Sequence, residues 1–251
     1  MDIRERQDNI IKFLGETNYL TVEQLAQSLG VSKVTIRTDL TVLEQKGLVK
    51  RTHGGAMIPE KSGCARLVSK TITEYETEKK AIAKRASLLI EDGQTVILDS
   101  GSTTSHLALF LAGRKITLVT NSLLVADAVR YDEDTEVILM GGSLRRNTMG
   151  LIGPLTTYGF SQIHANILFM GATGFTDTGI YGNNMIEAEV KREMLKAADK
   201  VCLVVDSSKT GKTAFSAICS WNDIDVLITD RIDSNLKDVI SSHGVEVITA
   251  C

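Results

Sequence analysis

The tightest constraint on this chain is the turn Gly30-Val31-Ser32, which separates two short segments that each carry an apolar stripe at helical spacing. In the first segment Val22, Leu25, Ala26 and Leu29 share one face. Thr21 precedes them as an N-cap, with Glu23 and Gln24 in the first turn. Gly30 supplies the left-handed residue that ends such a helix. Ser32 then caps a second helix running to about Lys46, with Ile36, Leu40 and Leu43 on its inner face. A helix from about Arg4 to Leu14, striped by Ile10, Ile11 and Leu14, comes before both. Two short helices joined by a Gly-x-Ser turn form a helix-turn-helix. Residues 47–56 read as strand, turn, strand, a short wing with basic residues at its tip.

Charge gives this unit a direction. The chain carries a net −3, yet between Val31 and His53 five basic residues face only Asp39 and Glu44, a local +3. One basic stripe on an acidic chain fits a single surface for double-stranded DNA. With Ile36, Leu40 and Leu43 turned inward, the outward set on the second helix is Ser32, Lys33, Thr35, Arg37 and Thr38. Such a helix enters the major groove, where Arg and Lys suit guanine and Thr suits a base or a phosphate. Lys50, Arg51 and His53 of the wing extend the DNA-binding set. Asp39 would be repelled by phosphates and is expected to pair within the unit. A three-helix protein-interaction domain is the competing reading of the same helices.

The stretch Val31–Leu40, followed by Leu43-Glu44-Gln45-Lys46-Gly47 and Arg51-Thr52-His53-Gly54-Gly55-Ala56, resembles the signature of the DeoR family of bacterial transcriptional regulators. The resemblance places Thr35 and Arg37 in the recognition helix and ends the wing at His53-Gly54-Gly55.

Beyond the wing, periodicity is lost around Pro59 and Gly63. The expected organisation is a DNA-binding domain over 1–57, a linker over 58–73 and a second domain over 74–251. A helix over about Glu74–Ile90 opens the second domain. Apolar runs at 95–99, 116–120, 136–140, 167–171, 201–206, 226–229 and 245–249 then alternate with helical segments. Several runs lack polar alternation, as strands covered on both faces do. The pattern predicts a doubly wound parallel α/β domain. Ligands in such sheets bind at the carboxyl ends of strands. Five consecutive strand ends here carry small, polar or glycine residues: Asp99–Thr104, Thr120–Ser122, Gly141–Ser143, Gly171–Gly174 and Asp206–Lys209. Glycine, hydroxyls and helix-start N–H groups at such ends form an anion cradle.

The family resemblance continues through Leu98–Thr104, Thr120–Ser122, Gly141-Gly142, Glu187–Lys191 and Asp206–Lys209. It implies a sugar-phosphate-isomerase-like effector domain that senses a phosphorylated sugar or polyol and releases a repressor from its operator. The effector-binding residues expected on this basis are Asp99, Ser100, Gly101, Ser102, Thr103, Thr104, Thr120, Asn121, Ser122, Gly142, Thr173, Glu187, Lys191 and Lys209. Thr173 departs from the family pattern, where many members have Asp.

Kinship with isomerases raises an enzyme as the alternative, a sugar-phosphate isomerase with an attached DNA-binding domain. Aldose–ketose isomerisation needs a carboxylate base. The positions matching the two active-site aspartates of ribose-5-phosphate isomerases hold Met170 and Thr173, leaving Glu187 and Glu189 as possible stand-ins. The segment Ser208–Thr213 lacks the first glycine of a phosphate-binding loop, since Asp206 occupies that place. Four scattered histidines and four cysteines without C-x-x-C spacing suggest no metal, no disulfide framework and a reducing compartment. The chain is therefore expected to be a cytoplasmic regulator without cofactor, catalytic residues or membrane span. Because a single winged domain grips one half-site, it should form a dimer or tetramer.

Overall fold

Thr21 and Gln24 close a capping box at the start of the second helix: the Gln24 amide donates to Thr21 Oγ1 at 3.1 Å and the Thr21 amide to Gln24 Oε1 at 2.9 Å. In this computed structural model the described residues are 3–17, 19–45, 48–52, 54–57 and 73–250. The chain divides into two compact units, 1–64 and 65–251. The expected linker falls outside the described residues except for Thr73.

The first unit comprises α1 (Ile3–Thr17), β1 (Tyr19–Thr21), α2 (Val22–Leu29), α3 (Lys33–Gln45), β2 (Lys50–Arg51) and β3 (Gly55–Met57). Gly30 ends α2 at φ 64°, in the left-handed region the turn requires. Ile10, Leu14, Leu25, Ile36, Leu40, Leu43 and Ala56 form the core. Polar contacts add to it across α1 and α3. Asp39 is 3% exposed and accepts from Arg6 Nε at 2.6 Å and Gln7 Nε2 at 3.2 Å, the internal pairing its sequence position suggested. The wing differs from expectation in having three strands, ordered β1-β3-β2 and antiparallel. A Cβ on Gly55 would lie 2.1 Å from the Leu20 carbonyl oxygen, so β3 reaches β1 only with glycine there. Lys50 and Arg51 lie on β2 instead of at the wing tip.

The second unit runs α4 (Glu76–Ser87), β4 (Thr95–Leu98), α5 (Ser102–Ala108), β5 (Thr117–Thr120), α6 (Leu123–Ala128), β6 (Glu136–Leu139), β7 (Ser143–Arg145), β8 (Gly150–Ile152), α7 (Pro154–Ser161), β9 (Ala165–Met170), β10 (Gly174–Phe175), β11 (Ile180–Gly182), α8 (Met185–Lys196), β12 (Ala198–Val204), β13 (Ser216–Cys219), β14 (Val226–Thr229), α9 (Ser234–Ser242) and β15 (Glu246–Thr249). The seven strands expected from the apolar runs form one sheet in the order β15-β14-β12-β9-β4-β5-β6. Every pairing in it is parallel. Alternate residues serve two cores, with Ile97, Leu168, Leu203 and Leu227 in one and Val96, Phe169, Cys202 and Val226 in the other. Both faces are covered, which is why the runs show no alternation.

The chain winds outward from β4 through β5 to β6, then returns to β9 on the other side of β4 and winds the opposite way. The switch point of the sheet therefore lies between β4 and β9. Such a point leaves a crevice at the carboxyl ends of the strands. Two smaller elements flank the sheet: the antiparallel hairpin β7–β8, and a three-stranded sheet ordered β10-β11-β13.

Asp39→Ala should lower unfolding stability by about 3 kcal/mol, because it removes the buried carboxylate to which Arg6 and Gln7 both donate. Urea denaturation followed by circular dichroism checks this, and a loss under about 1 kcal/mol would make the Arg6–Asp39 pair dispensable.

Candidate functional site

In the first unit, the start of α3 is an open polar surface. Ser32 Oγ accepts from the Thr35 amide at 3.1 Å and meets Thr35 Oγ1 at 2.8 Å, so Ser32 caps the helix as expected. Ser32, Lys33, Arg37 and Thr38 are exposed and Thr35 is half-buried. Lys33 pairs with Glu23 of α2, and Thr38 Oγ1 donates to the Val34 carbonyl at 3.1 Å. No hydrogen bond or ion pair among the described residues engages the Arg37 side chain. Val34, to which the sequence reading gave no role, is 70% exposed between Lys33 and Thr35. Its distance from the Ile36–Leu40–Leu43 face was the available signal. On the wing Lys50 is exposed, whereas Arg51 is drawn back onto α3, donating to Thr41 Oγ1 at 2.7 Å and lying 3.9 Å from Glu44. His53 lies outside the described residues.

The second unit holds a cavity of about 310 Å³ at the switch point. Its walls come from the ends of β4, β9 and β12, from the β7–β8 hairpin and from the start of α8. Of the expected residues, Ser100, Gly101, Ser102, Thr103, Thr173, Glu187, Lys191 and Lys209 line it. Asp99, Thr104, Thr120, Asn121, Ser122 and Gly142 do not; they hold the surrounding elements together. Thr104 Oγ1 donates to the Asp99 carbonyl at 2.6 Å and Thr120 Oγ1 to the Leu98 carbonyl at 2.7 Å. Asn121 Nδ2 donates to the Leu151 carbonyl at 2.8 Å, and Ser122 caps α6 through the Val125 amide at 3.3 Å. Gly142 permits a close approach, since a Cβ there would lie 2.1 Å from Thr156 Oγ1. For Thr120, Asn121, Ser122 and Gly142 the reason is strand order: β5 and β6 lie beyond β4, away from the switch.

Asp99 forms the floor. It is 1% exposed, and its Oδ2 accepts from Lys191 Nζ and from the Gly171 amide at 3.1 Å. Lys191 Nζ also donates to the Gly171 carbonyl at 3.0 Å. One buried ion pair thus ties the ends of β4 and β9 to α8.

Arg145, Asn147, Thr148, Asn183, Asn184 and Asp206 add polar groups to the lining and were absent from the expected set. Arg145 Nε lies 3.0 Å from Glu187 Oε2, with both side chains largely buried. Burial raises the Glu187 carboxyl above its ordinary value, against the opposing pull of Lys191 and Arg145. Asp206 caps a single turn of 3₁₀ helix (Ser207–Lys209) by accepting from the Ser208 amide at 3.1 Å. Glu189 is exposed on the far side of α8. Among the described residues no cluster of His, Cys, Asp or Glu could hold a metal ion, and no helix is long and apolar enough to cross a membrane.

A helix-turn-helix with an open recognition face, carried on a chain with a cavity at a sheet's switch point into which charged and hydroxyl side chains are gathered, defines a ligand-responsive transcriptional regulator. The DeoR-like helix-turn-helix domain matches residues 6–62 and the DeoR C terminal sensor domain matches residues 74–231. The chain belongs to the DeoR family of transcriptional regulators. It is 38% identical to the HTH-type transcriptional regulator GolR of Listeria innocua, over 97% of each chain. It is 31% identical to the glycerol-3-phosphate regulon repressor of Escherichia coli, again over 97% of each. Ribose 5 phosphate isomerase A from Neisseria gonorrhoeae superposes at a TM-score of 0.39 with 16% identity, over 53% of this chain and 52% of that one.

Lys191→Met should cost about 3–5 kcal/mol in urea unfolding, since it leaves the Asp99 carboxylate buried beside a methyl group. A variant as stable as the wild type would show that Asp99 is not held by the pair. Glu187 binds its proton more tightly in the folded chain than in the unfolded one. Its contribution to stability is therefore present at low pH and is lost as pH rises through the window above 4.5. Glu187→Gln should flatten that part of the stability–pH curve.

Proposed function

We propose that this protein is a cytoplasmic repressor of a sugar or polyol catabolic operon, released from its operator when a phosphorylated sugar or sugar alcohol occupies the cavity of the second unit. The observation that carries the DNA half is the exposed start of α3, where Lys33, Val34, Thr35, Arg37 and Thr38 surround a capped helix end. Arg37 suits a guanine edge and Val34 a thymine methyl, while Ser32, Lys50 and the helix start suit phosphates. His53 and Arg51 belong to the same surface in this reading. The protein acts as a dimer or larger oligomer, because one winged unit covers one half-site. The domain limits in this reading remain 1–57, 58–73 and 74–251.

For the effector half, support comes from the position of the cavity and the chemistry of its walls. Ser100, Ser102 and Thr103 supply hydroxyls, Lys209 a cation, and Asp206 and Asn183 groups suited to sugar hydroxyls. A relative named for glycerol 3-phosphate fits the same ligand class. The ligand must bind the DNA-released arrangement better than the DNA-bound one, because equal affinity shifts nothing. The second unit senses and does not catalyse: Asp99 is locked to Lys191, Glu187 is paired with Arg145, and Met170 and Thr173 carry no carboxylate.

Arg37→Ala should weaken binding to the cognate promoter by about 1–3 kcal/mol and relax specificity at one base pair, as read by electrophoretic mobility shift across single-base operator variants. Lys50→Ala should weaken binding to all DNA alike and flatten its salt dependence. Incubation with pentose, hexose and polyol phosphates separates sensor from isomerase. Release of promoter DNA without turnover supports the proposal, and sugar-phosphate turnover at an enzyme's rate would overturn it.

A further inference from the structure

We propose that the phosphoryl group of the effector is held at the β7–β8 hairpin by the Arg145 guanidinium, with the Ser100 and Thr148 hydroxyls closing the site and Glu187 competing for the same guanidinium. The inference rests on the cavity being the ligand site and adds where, and by which groups, the ligand's anionic end is gripped.

Three observations converge on this corner. Arg145 and Gly150 are cross-strand partners, so the directions of their side chains share one face of the hairpin. A Cβ on Gly150 would lie 2.5 Å from Ser100 Oγ and 3.2 Å from Thr148 Oγ1, which puts both hydroxyls against that face. Neither hydroxyl has a hydrogen-bond partner among the described residues, and Ser100 is only 3% exposed.

Arg145 is equally undersupplied. Its Nε faces Glu187 at 3.0 Å without forming a hydrogen bond, and no other hydrogen bond among the described residues engages the side chain. A guanidinium offers five donors in a planar fork that fits two oxygens of a phosphate at once. Two hydroxyl donors on the same face of the hairpin as that side chain exceed what the two coplanar oxygens of a carboxylate use, and match a tetrahedral group with three terminal oxygens. Buried polar groups left without partners are costly, so a site with this many free donors is built for an anion. Among the described residues Glu187 supplies the only opposite charge paired with the fork. Its raised proton affinity marks it as a poorly solvated counterion that a phosphate can displace.

Isothermal titration of the full chain tests the assignment, with inorganic phosphate, ribose 5-phosphate and glycerol 3-phosphate set against ribose and glycerol. The wild type should bind the phosphorylated ligands and not their parents. Arg145→Gln should weaken every phosphate-containing ligand at least tenfold, and Arg145→Lys, which keeps the charge without the fork, should recover only part of that loss. Glu187→Gln should tighten binding severalfold, the opposite of what removing a ligand contact or a purely structural pair would do. Arg145→Gln binding as tightly as the wild type overturns the inference while leaving the effector reading intact. Phosphate binding that depends on Arg145 without any binding of sugar phosphates sustains the site and overturns the effector reading. A wild type that binds none of these anions overturns both. Should Arg145→Gln fail to fold by circular dichroism, Glu187→Gln decides: tightening supports the site, and unchanged or weaker binding removes it.

Discussion

The architecture of the sensing unit depends on one buried ion pair, Asp99 with Lys191. Neither side chain reaches solvent appreciably, and each is held by backbone as well as by the other: Gly171 donates to Asp99 and accepts from Lys191. Removing two charges from water costs several kcal/mol per ion, and only close pairing with additional hydrogen bonds offsets it. That requirement fixes the relative positions of the end of β4, the end of β9 and the first turns of α8. Those three segments frame the crevice left by the switch in strand order. The pair therefore acts less as a net source of stability than as a geometric specification, since most arrangements of the three segments would strand a charge.

This explains how the sequence could indicate the fold so well and the site only in part. Strand identity is local information: Thr95–Leu98 or Val226–Thr229 are apolar on both faces and cannot be amphipathic helices. Strand order is not local. Five strand ends looked equivalent along the chain, yet only those of β4, β9 and β12 meet at the switch. Thr120, Asn121, Ser122 and Gly142 have suitable chemistry on the wrong side of β4. Arg145, Thr148 and Asn183 were missed for the complementary reason. They sit on or beside strands and turns of two or three residues, too short for any hydrophobic period to register. The same limit hid β1 of the wing.

The DNA-binding unit was more legible because its determinants are nearly all short-range. Thr21, Gly30 and Ser32 act on the residues next to them, and the inward positions of α2 and α3 follow from helical spacing alone. What spacing could not supply was competition among side chains. Arg51 looked like a free cation on the wing, yet Thr41 and Glu44 of α3 hold it. Lys33 looked equally free and is paired with Glu23. Arg37 is left as the arginine of α3 with no internal partner among the described residues, which is why the proposed reading concentrates base contacts on it and on Val34.

Electrostatic balance in the cavity bears on how sensing can become signalling. Arg145, Lys191 and Lys209 are matched one for one by Glu187, Asp206 and the underlying Asp99, so the cavity offers a dianionic ligand no surplus of formal positive charge. In the proposed site a phosphorylated ligand has Lys209, which makes no ion pair among the described residues, and any further cation has to come from an existing partner. The Asp99–Lys191 pair is the costlier to break, because Asp99 is sealed from solvent and would be left with only the Gly171 amide. The Arg145–Glu187 pair is less costly. It is somewhat more exposed, lacks a well-formed hydrogen bond, and joins α8 to a hairpin that forms its own two-stranded sheet outside the main one. If the proposed site is the ligand's, binding energy goes into loosening the hairpin from α8 while the floor stays fixed. Such loosening would give the ligand a differential affinity for two arrangements of the unit, the one thing a population shift requires.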